Sequence, residues 1–175
     1  TGEFDIYNNT RGLAMNATVG LGADAQGWIW IVAPDGRITR LNPETGQTKV
    51  ISDLQDEIFE VSSIVKVGEE MFLGANNGIY RFAYYSIVDN YRVSERVSVL
   101  GSFPAAIAVQ DMVTLDGYLY VATVSGLARV PLSTQQFSAP ASWNVYTTAN
   151  GLPANNVFGL GVQGDQTLWV TTQTS

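Results

Sequence analysis

One segment of this chain recurs 139 residues further along without a gap. The two copies share a tyrosine, a Gly-Leu pair, an asparagine, a Gly-Leu-Gly triplet and a tryptophan. The matched residues are Tyr7/Tyr146, Gly12/Gly151, Leu13/Leu152, Asn16/Asn155, Gly20/Gly159, Leu21/Leu160, Gly22/Gly161 and Trp30/Trp169. A constant offset over so many positions indicates a structural unit that the chain uses more than once.

Two weaker copies lie between these segments, so that four short apolar strands can be aligned: 28–31, 70–73, 118–121 and 167–170. Their third positions are 42, 48 and 49 residues apart. A period in the forties made of strands and turns is typical of propeller blades, because one four-stranded sheet cannot bury its faces alone. The sequence therefore predicts an all-β fold, a β-propeller with about four four-stranded blades, the last one truncated.

Turn residues separate the predicted strands, whereas helical periodicity is weak and 17 glycines with 6 prolines interrupt the chain. No linker is apparent, so we expect a single partial propeller domain over residues 1–175. Its repeat units are predicted at roughly 1–51, 52–100, 101–146 and 147–175, the last incomplete. In the second unit, a long connection at 85–94 is expected to precede a fourth strand at 95–100.

The aligned strands are apolar at nearly every position, which a strand tolerates only when both faces are covered. Their aromatic third residues are therefore predicted to lie in the core between adjacent sheets: Trp30, Phe72, Tyr120 and Trp169. A glycine follows six residues after each of the first three, at Gly36, Gly78 and Gly126. These glycines are expected to adopt positive φ in tight turns.

Composition excludes several function classes. The net charge of −7 leaves no basic face for nucleic acid, and no apolar run is long enough to span a membrane. The chain has no histidine and no cysteine, which removes Ser-His-Asp triads, HExxH zinc sites and thiol nucleophiles. No metal site and no cofactor are predicted, since calcium-loop spacing is also missing.

Candidate binding residues fall in two loop sets that an antiparallel meander would bring to one face. Arg11, Asn16, Asn155 and Asn156 lie in the connections before first strands, and Asp35, Asn76, Asn77 and Ser125 lie between second and third strands. The asparagines have an alternative role, because Asn can hold a turn by bonding nearby backbone. Asp111, a charge in an otherwise apolar first strand, must either face a ligand channel or find a hydrogen-bonding partner.

The sequence Gly151-Leu152-Pro153-Ala154-Asn155-Asn156-Val157, followed by Leu168-Trp169-Val170-Thr171-Thr172, resembles the two-component regulator propeller repeat. The first unit keeps Gly12, Leu13, Asn16, Asp24, Gly27 and Trp30 but has Ala14 in place of the proline. The two middle units match only from the second strand onward. The resemblance implies a bacterial periplasmic or extracellular propeller that acts as a ligand sensor for a kinase or belongs to a secretion-associated envelope protein.

We therefore expect a non-catalytic propeller segment that binds a ligand or a protein partner through loops on one face. The resemblance implies a carbohydrate ligand, and partners in the remainder of the propeller or in an envelope complex. Two alternatives stay open. One is a purely architectural module, and the other is a polysaccharide-active enzyme that uses carboxylates such as Asp56, Glu57, Glu60 or Asp111.

Overall fold

The structure, a computed structural model, describes residues 5–55 and 60–173, which form an all-β chain. Three four-stranded antiparallel sheets and one two-stranded sheet follow one another along the chain. The strands are β1 (Gly20–Ala23), β2 (Ile29–Val32), β3 (Ile38–Leu41), β4 (Thr48–Ile51), β5 (Val61–Val67), β6 (Glu70–Ala75), β7 (Gly78–Tyr85), β8 (Asn90–Val97), β9 (Val109–Leu115), β10 (Tyr118–Thr123), β11 (Gly126–Pro131), β12 (Asn144–Tyr146), β13 (Val157–Gln163) and β14 (Thr167–Thr172). Three short 3₁₀ turns lie at Asn9–Arg11, Pro140–Ser142 and Thr148–Asn150.

Each sheet is a meander in which strands pair in chain order, so its first strand begins on the same side as its second strand ends. The four second strands, predicted at 28–31, 70–73, 118–121 and 167–170, lie within two residues of those bounds. The fourth strand of the second sheet is a correction: β8 begins at Asn90 rather than at residue 95. The expected long connection is a tight turn over 86–89, because Tyr84 pairs with Tyr91 and extends the hairpin.

The sheets stack side by side through their first strands. β1 packs against β5, β5 against β9, and β9 against β13. Glycines in β1 permit this close approach: a Cβ on Gly22 would lie 2.7 Å from a methyl group of Ile64 in β5. Apolar cores fill the spaces between the first and second, second and third, and third and fourth sheets.

The middle strand β6 shows how one sheet serves two cores. Met71, Leu73 and Ala75 pack into the core shared with the first sheet, whereas Phe72 packs into the core shared with the third. All four are buried because alternate side chains of a strand point to opposite faces. The prediction of strands covered on both faces is confirmed here.

The aromatic residues at the third positions of the four aligned strands differ in burial, depending on whether another sheet packs against them. Trp30 and Phe72 are completely buried, and Tyr120 is partly buried against the third core. Trp169 was predicted to be buried, yet 61% of its surface is exposed. Trp30, Phe72 and Tyr120 face the next sheet along the chain, and among the described residues no sheet covers the corresponding face of β14.

Opposite each of the first three aromatic residues the structure places an arginine: Arg40 faces Trp30, Arg81 faces Phe72 and Arg129 faces Tyr120. This repeat was not anticipated from the sequence. These arginines place their guanidinium groups over aromatic rings of the stacked sheets. The attraction between cation and ring adds to the apolar packing. Arg129, for example, lies 4.7 Å from the ring centroid of Tyr118.

A buried polar cluster stabilises the stack between the first and second sheets. Asp24 Oδ2 accepts hydrogen bonds from Arg40 Nε at 2.8 Å and from Trp30 Nε1 at 2.9 Å. Its Oδ1 accepts from the backbone N–H groups of Gln26 and Trp28. The side chains of Asp24 and Arg40 are 0% and 1% exposed, so the charge pair is fully removed from water.

The glycines before or at the start of the third strands adopt positive φ as predicted: 81° at Gly36, 126° at Gly78 and 147° at Gly126. At Gly78 a Cβ would also collide with the carbonyl oxygen of Val97 in the neighbouring strand. Both the backbone angle and the space therefore require glycine there.

Candidate functional site

A cleft of 340 Å³ lies at the side of the stack where the first strands begin. It is formed by the second, third and fourth sheets. Its lining residues are Glu60, Val61, Ser62, Asn76, Ala108, Val109, Gln110, Val124 and Phe158. The connections before the first strands and those between the second and third strands lie on this face, because every sheet is an antiparallel meander.

Three of the lining residues occupy the same structural position in successive sheets. In β5 the pairing passes from Val61 to Ser63, and Ser62 is left out of register. The same shift leaves out Gln110 in β9 and Phe158 in β13. A β-bulge of this kind redirects one side chain without ending the strand. Ser62, Gln110 and Phe158, here called the bulge row, thus form a line across the cleft.

Hydrogen bonds hold the polar members of the bulge row. Ser62 Oγ donates to the carbonyl oxygen of Gly74 at 3.2 Å. Gln110 Nε2 donates to Asn156 Oδ1 at 2.7 Å, and Asn156 Nδ2 in turn donates to Gln173 Oε1 at 3.3 Å. In this arrangement the Gln110 carbonyl oxygen accepts no hydrogen bond from the described residues.

Asp111 lies directly behind the bulge row and joins two sheets. Its Oδ2 accepts from the backbone N–H of Leu160 in β13 at 2.8 Å, and its Oδ1 accepts from the N–H of Met112 at 2.8 Å. Ser63 Oγ in β5 lies 3.4 Å from the same Oδ1. The sequence predicted that Asp111 must face a channel or find a hydrogen-bonding partner. The structure shows backbone partners for it in β9 and in β13.

The two repeated asparagines hold equivalent turns. Asn16 Oδ1 accepts from the N–H of Asn9 at 2.7 Å, and Asn155 Oδ1 accepts from the N–H of Thr148 at 2.8 Å. Each bond spans seven residues at the same place in the repeat. The recurrence of these asparagines is thus accounted for by the turn-holding role.

The remaining predicted residues divide between the cleft and the first sheet. Asn76 lines the cleft, and Asn77 and Ser125 directly follow lining residues. Arg11 Nη1 instead donates to the carbonyl oxygen of Ile6 at 2.7 Å, and Asp35 forms an ion pair with Arg37. The structure therefore gathers Asn76, Asn77, Ser125 and Asn156 around the cleft, while Arg11, Asn16 and Asp35 belong to the first sheet.

Sequence reasoning did not identify the bulge row. Glu60 was considered only as an acid or base for the enzyme alternative, and Asp56 and Glu57 lie outside the described residues. No shared residue type marks these positions, because a serine, a glutamine and a phenylalanine occupy them.

No family model and no curated protein matches the sequence. Among solved structures, the chain is similar to the extracellular domain of a putative one-component system from B. thetaiotaomicron, with 22% identity, a TM-score of 0.67, and coverage of 92% of this chain and 20% of that one. It is similar to PorZ, a surface component of the type-IX secretion system of Porphyromonas gingivalis, with 20% identity, a TM-score of 0.71, and coverage of 95% and 22%. The extracellular domain of a putative hybrid two-component system from B. thetaiotaomicron matches with 14% identity, a TM-score of 0.67, and coverage of 95% and 22%.

These likenesses show the fold. The chain spans about a fifth of the length of the structures that it matches. Within the described ranges, no helix has the length and apolar character needed to cross a membrane.

Proposed function

We propose that this chain is a non-catalytic segment of a bacterial extracellular or periplasmic β-propeller, and that it binds a ligand or a protein partner at the cleft. The stacked meanders are then blades, and the neighbouring blades belong to the remainder of the same propeller. Two observations support the proposal: first strands of successive sheets pack side by side, and the similar solved structures are extracellular domains and a surface component.

The observation that carries the binding role is the bulge row. A sheet ladder loses hydrogen bonds at a bulge, so three consecutive bulges at one position need a compensating use. Here each one places a side chain into the same cleft, with the amide of Asn76 and the carboxylate of Glu60 beside them. A concave surface with a few converging polar groups and one aromatic ring is the usual form of a ligand site.

A binding panel tests this proposal. Neutral and acidic oligosaccharides, basic and acidic peptides, and envelope proteins would be titrated against isotope-labelled protein. A specific partner should shift the amide signals around Gln110 and Phe158, and Gln110→Ala should weaken its binding. Gln47→Ala is a matched control, because Gln47 is an exposed glutamine in the connection between β3 and β4. Shifts confined to residues away from the cleft, or no binding by any member, would contradict the proposal.

If the parent protein is a sensor of a two-component regulator, partner binding should change kinase output, which a reporter assay in cells would measure. A carbohydrate ligand remains part of this proposal through the oligosaccharide arm of the panel. Hydrolysis of a polysaccharide in the same panel, abolished by Glu60→Gln, would instead favour the enzyme alternative, which needs two facing carboxylates.

An architectural module in an envelope assembly is the second candidate, and one observation favours it. Trp169 and Leu21, on the two outermost described sheets, are 61% and 66% exposed, so apolar surface is available there for a further blade or for another envelope protein. Exposed apolar surface of this kind marks contact sites. Cross-linking of the native protein through cysteines introduced beside Trp169 should capture a neighbouring envelope component if this candidate is right.

A further inference from the structure

Among the residues that the structure describes, the cleft lining includes one acidic residue, Glu60, and no lysine or arginine. Ser62 Oγ donates its hydrogen to the carbonyl oxygen of Gly74, and one N–H of the Gln110 amide is donated to Asn156 Oδ1. The Ser62 lone pairs and the Gln110 carbonyl oxygen are available acceptors near Glu60, and together they favour a ligand that donates hydrogen bonds.

Phe158 adds a second preference at the same place. Half of its surface is exposed, and its ring forms part of the cleft wall. An aromatic ring attracts a cation to its face, and the attraction is stronger where water is partly excluded. Acceptors, a carboxylate and a ring together favour an ammonium or guanidinium group over a neutral one.

The surrounding charge acts in the same direction. Asp111, the residue after Gln110, is bonded to uncharged partners, the backbone N–H groups of Leu160 and Met112, so its negative charge is not neutralised by those contacts. The chain as a whole carries a net charge of −7, which raises the local concentration of cationic groups. At 340 Å³ the cleft is at the small end of ligand sites and suits one side chain.

We propose that the cleft receives a lysine or arginine side chain presented by a basic segment of a protein partner. The proposal rests on the binding role proposed above and specifies its chemistry. The cationic head contacts Glu60 and the Gln110 carbonyl oxygen, and the apolar stem or the guanidinium plane lies against Phe158. Acidic ligands are excluded, because they would bring like charge to Glu60 and Asp111 without a cation to offset it.

The test compares two probes of the same shape, Nα-acetyl-arginine amide and Nα-acetyl-citrulline amide, of which only the first is charged. Titrations followed by the NMR signals of the Gln110 side-chain amide and the Phe158 ring should show about tenfold tighter binding of the arginine probe. Its affinity should fall as salt is raised, because partly exposed charges are screened. A lysine- and arginine-containing peptide should bind more tightly than either probe.

Two variants with a matched control locate the effect. Glu60→Gln should weaken the arginine probe about tenfold, and Phe158→Leu should weaken it about threefold, from the loss of a charge-assisted bond and of a cation–π contact. Glu44→Gln removes the same charge from an exposed turn of the first sheet and should leave binding unchanged. Equal losses in the Glu60 and Glu44 variants would overturn the proposal, because the effect would then be one of net charge.

The remaining outcomes separate this proposal from the proposed function. Equal binding of the arginine and citrulline probes, or occupation of the cleft by a neutral sugar or acidic peptide, would overturn the cation proposal and leave the binding role intact. Failure of every probe and panel member to bind would overturn both.

Discussion

Replacing Asp24 by asparagine should destabilise the protein severely, because Asp24 is the centre of the buried cluster. Its carboxylate accepts from Arg40 and Trp30 and is wholly excluded from water. The amide in Asp24→Asn would leave the Arg40 guanidinium buried without a counter-charge and would set an NH₂ group against existing donors. Removing one partner of a buried ion pair costs about 3–5 kcal/mol, a large part of the roughly 5–15 kcal/mol that a domain has.

Urea unfolding followed by tryptophan fluorescence measures this cost. Asp35→Asn is the matched control, because its pair with Arg37 is about 30% exposed and should contribute only about 0–1 kcal/mol. Arg40→Met should cost about as much as Asp24→Asn, and the double variant clearly less than the sum, since neither charge is then left unpaired. A cost below about 1 kcal/mol for Asp24→Asn, or simple additivity, would refute the reasoning that the pair is desolvated and coupled.

Three further changes have defined outcomes. Gly74→Ala should cost about 1–3 kcal/mol in urea unfolding, because its Cβ would lie 2.6 Å from a methyl group of Val109; an unchanged midpoint would contradict this packing. Burial raises the pKa of Tyr91 to about 12. The neutral hydroxyl therefore contributes fully to stability below about pH 10, and this contribution is lost as the pH rises towards 12. The melting temperature of Tyr91→Phe should fall less steeply over that range than that of the wild type, and equal slopes would refute the assignment. Asp111→Asn should speed hydrogen exchange of the Leu160 amide about tenfold through loss of a charge-assisted bond, and unchanged exchange would argue against the link between β9 and β13.

The sheets could be predicted because strand and turn signals agree along most of the chain. β6, β10 and β14 begin at residues 70, 118 and 167, where the aligned apolar runs predicted them. β8 was misplaced because the polar stretch from Asn90 reads as a connection, whereas cross-strand pairing with β7 makes it a strand. Tertiary pairing overrides local propensity in such a strand.

The candidate loops named from the sequence include Asn76, which lines the cleft, but the sequence did not identify the bulge row. Asn16 and Asn155 recur because each one holds the same turn, so their recurrence indicates a turn rather than a binding site. Ser62, Gln110 and Phe158 share no chemistry, and a register shift is a property of two paired strands that neither strand shows alone. Burial of Trp169 was likewise inferred from its own strand, although burial depends on a neighbouring sheet.

Because each bulge residue lies outside the regular ladder, its side chain can be exchanged with little effect on strand pairing or on the cores behind it. Under the proposed binding role, the second, third and fourth sheets each contribute one contact to the cleft, and a substitution in one sheet would change the selectivity of the site by one contact. If the cleft binds a partner, such a protein could acquire new partners through point substitutions at the bulge row, with the stacking of its sheets unchanged.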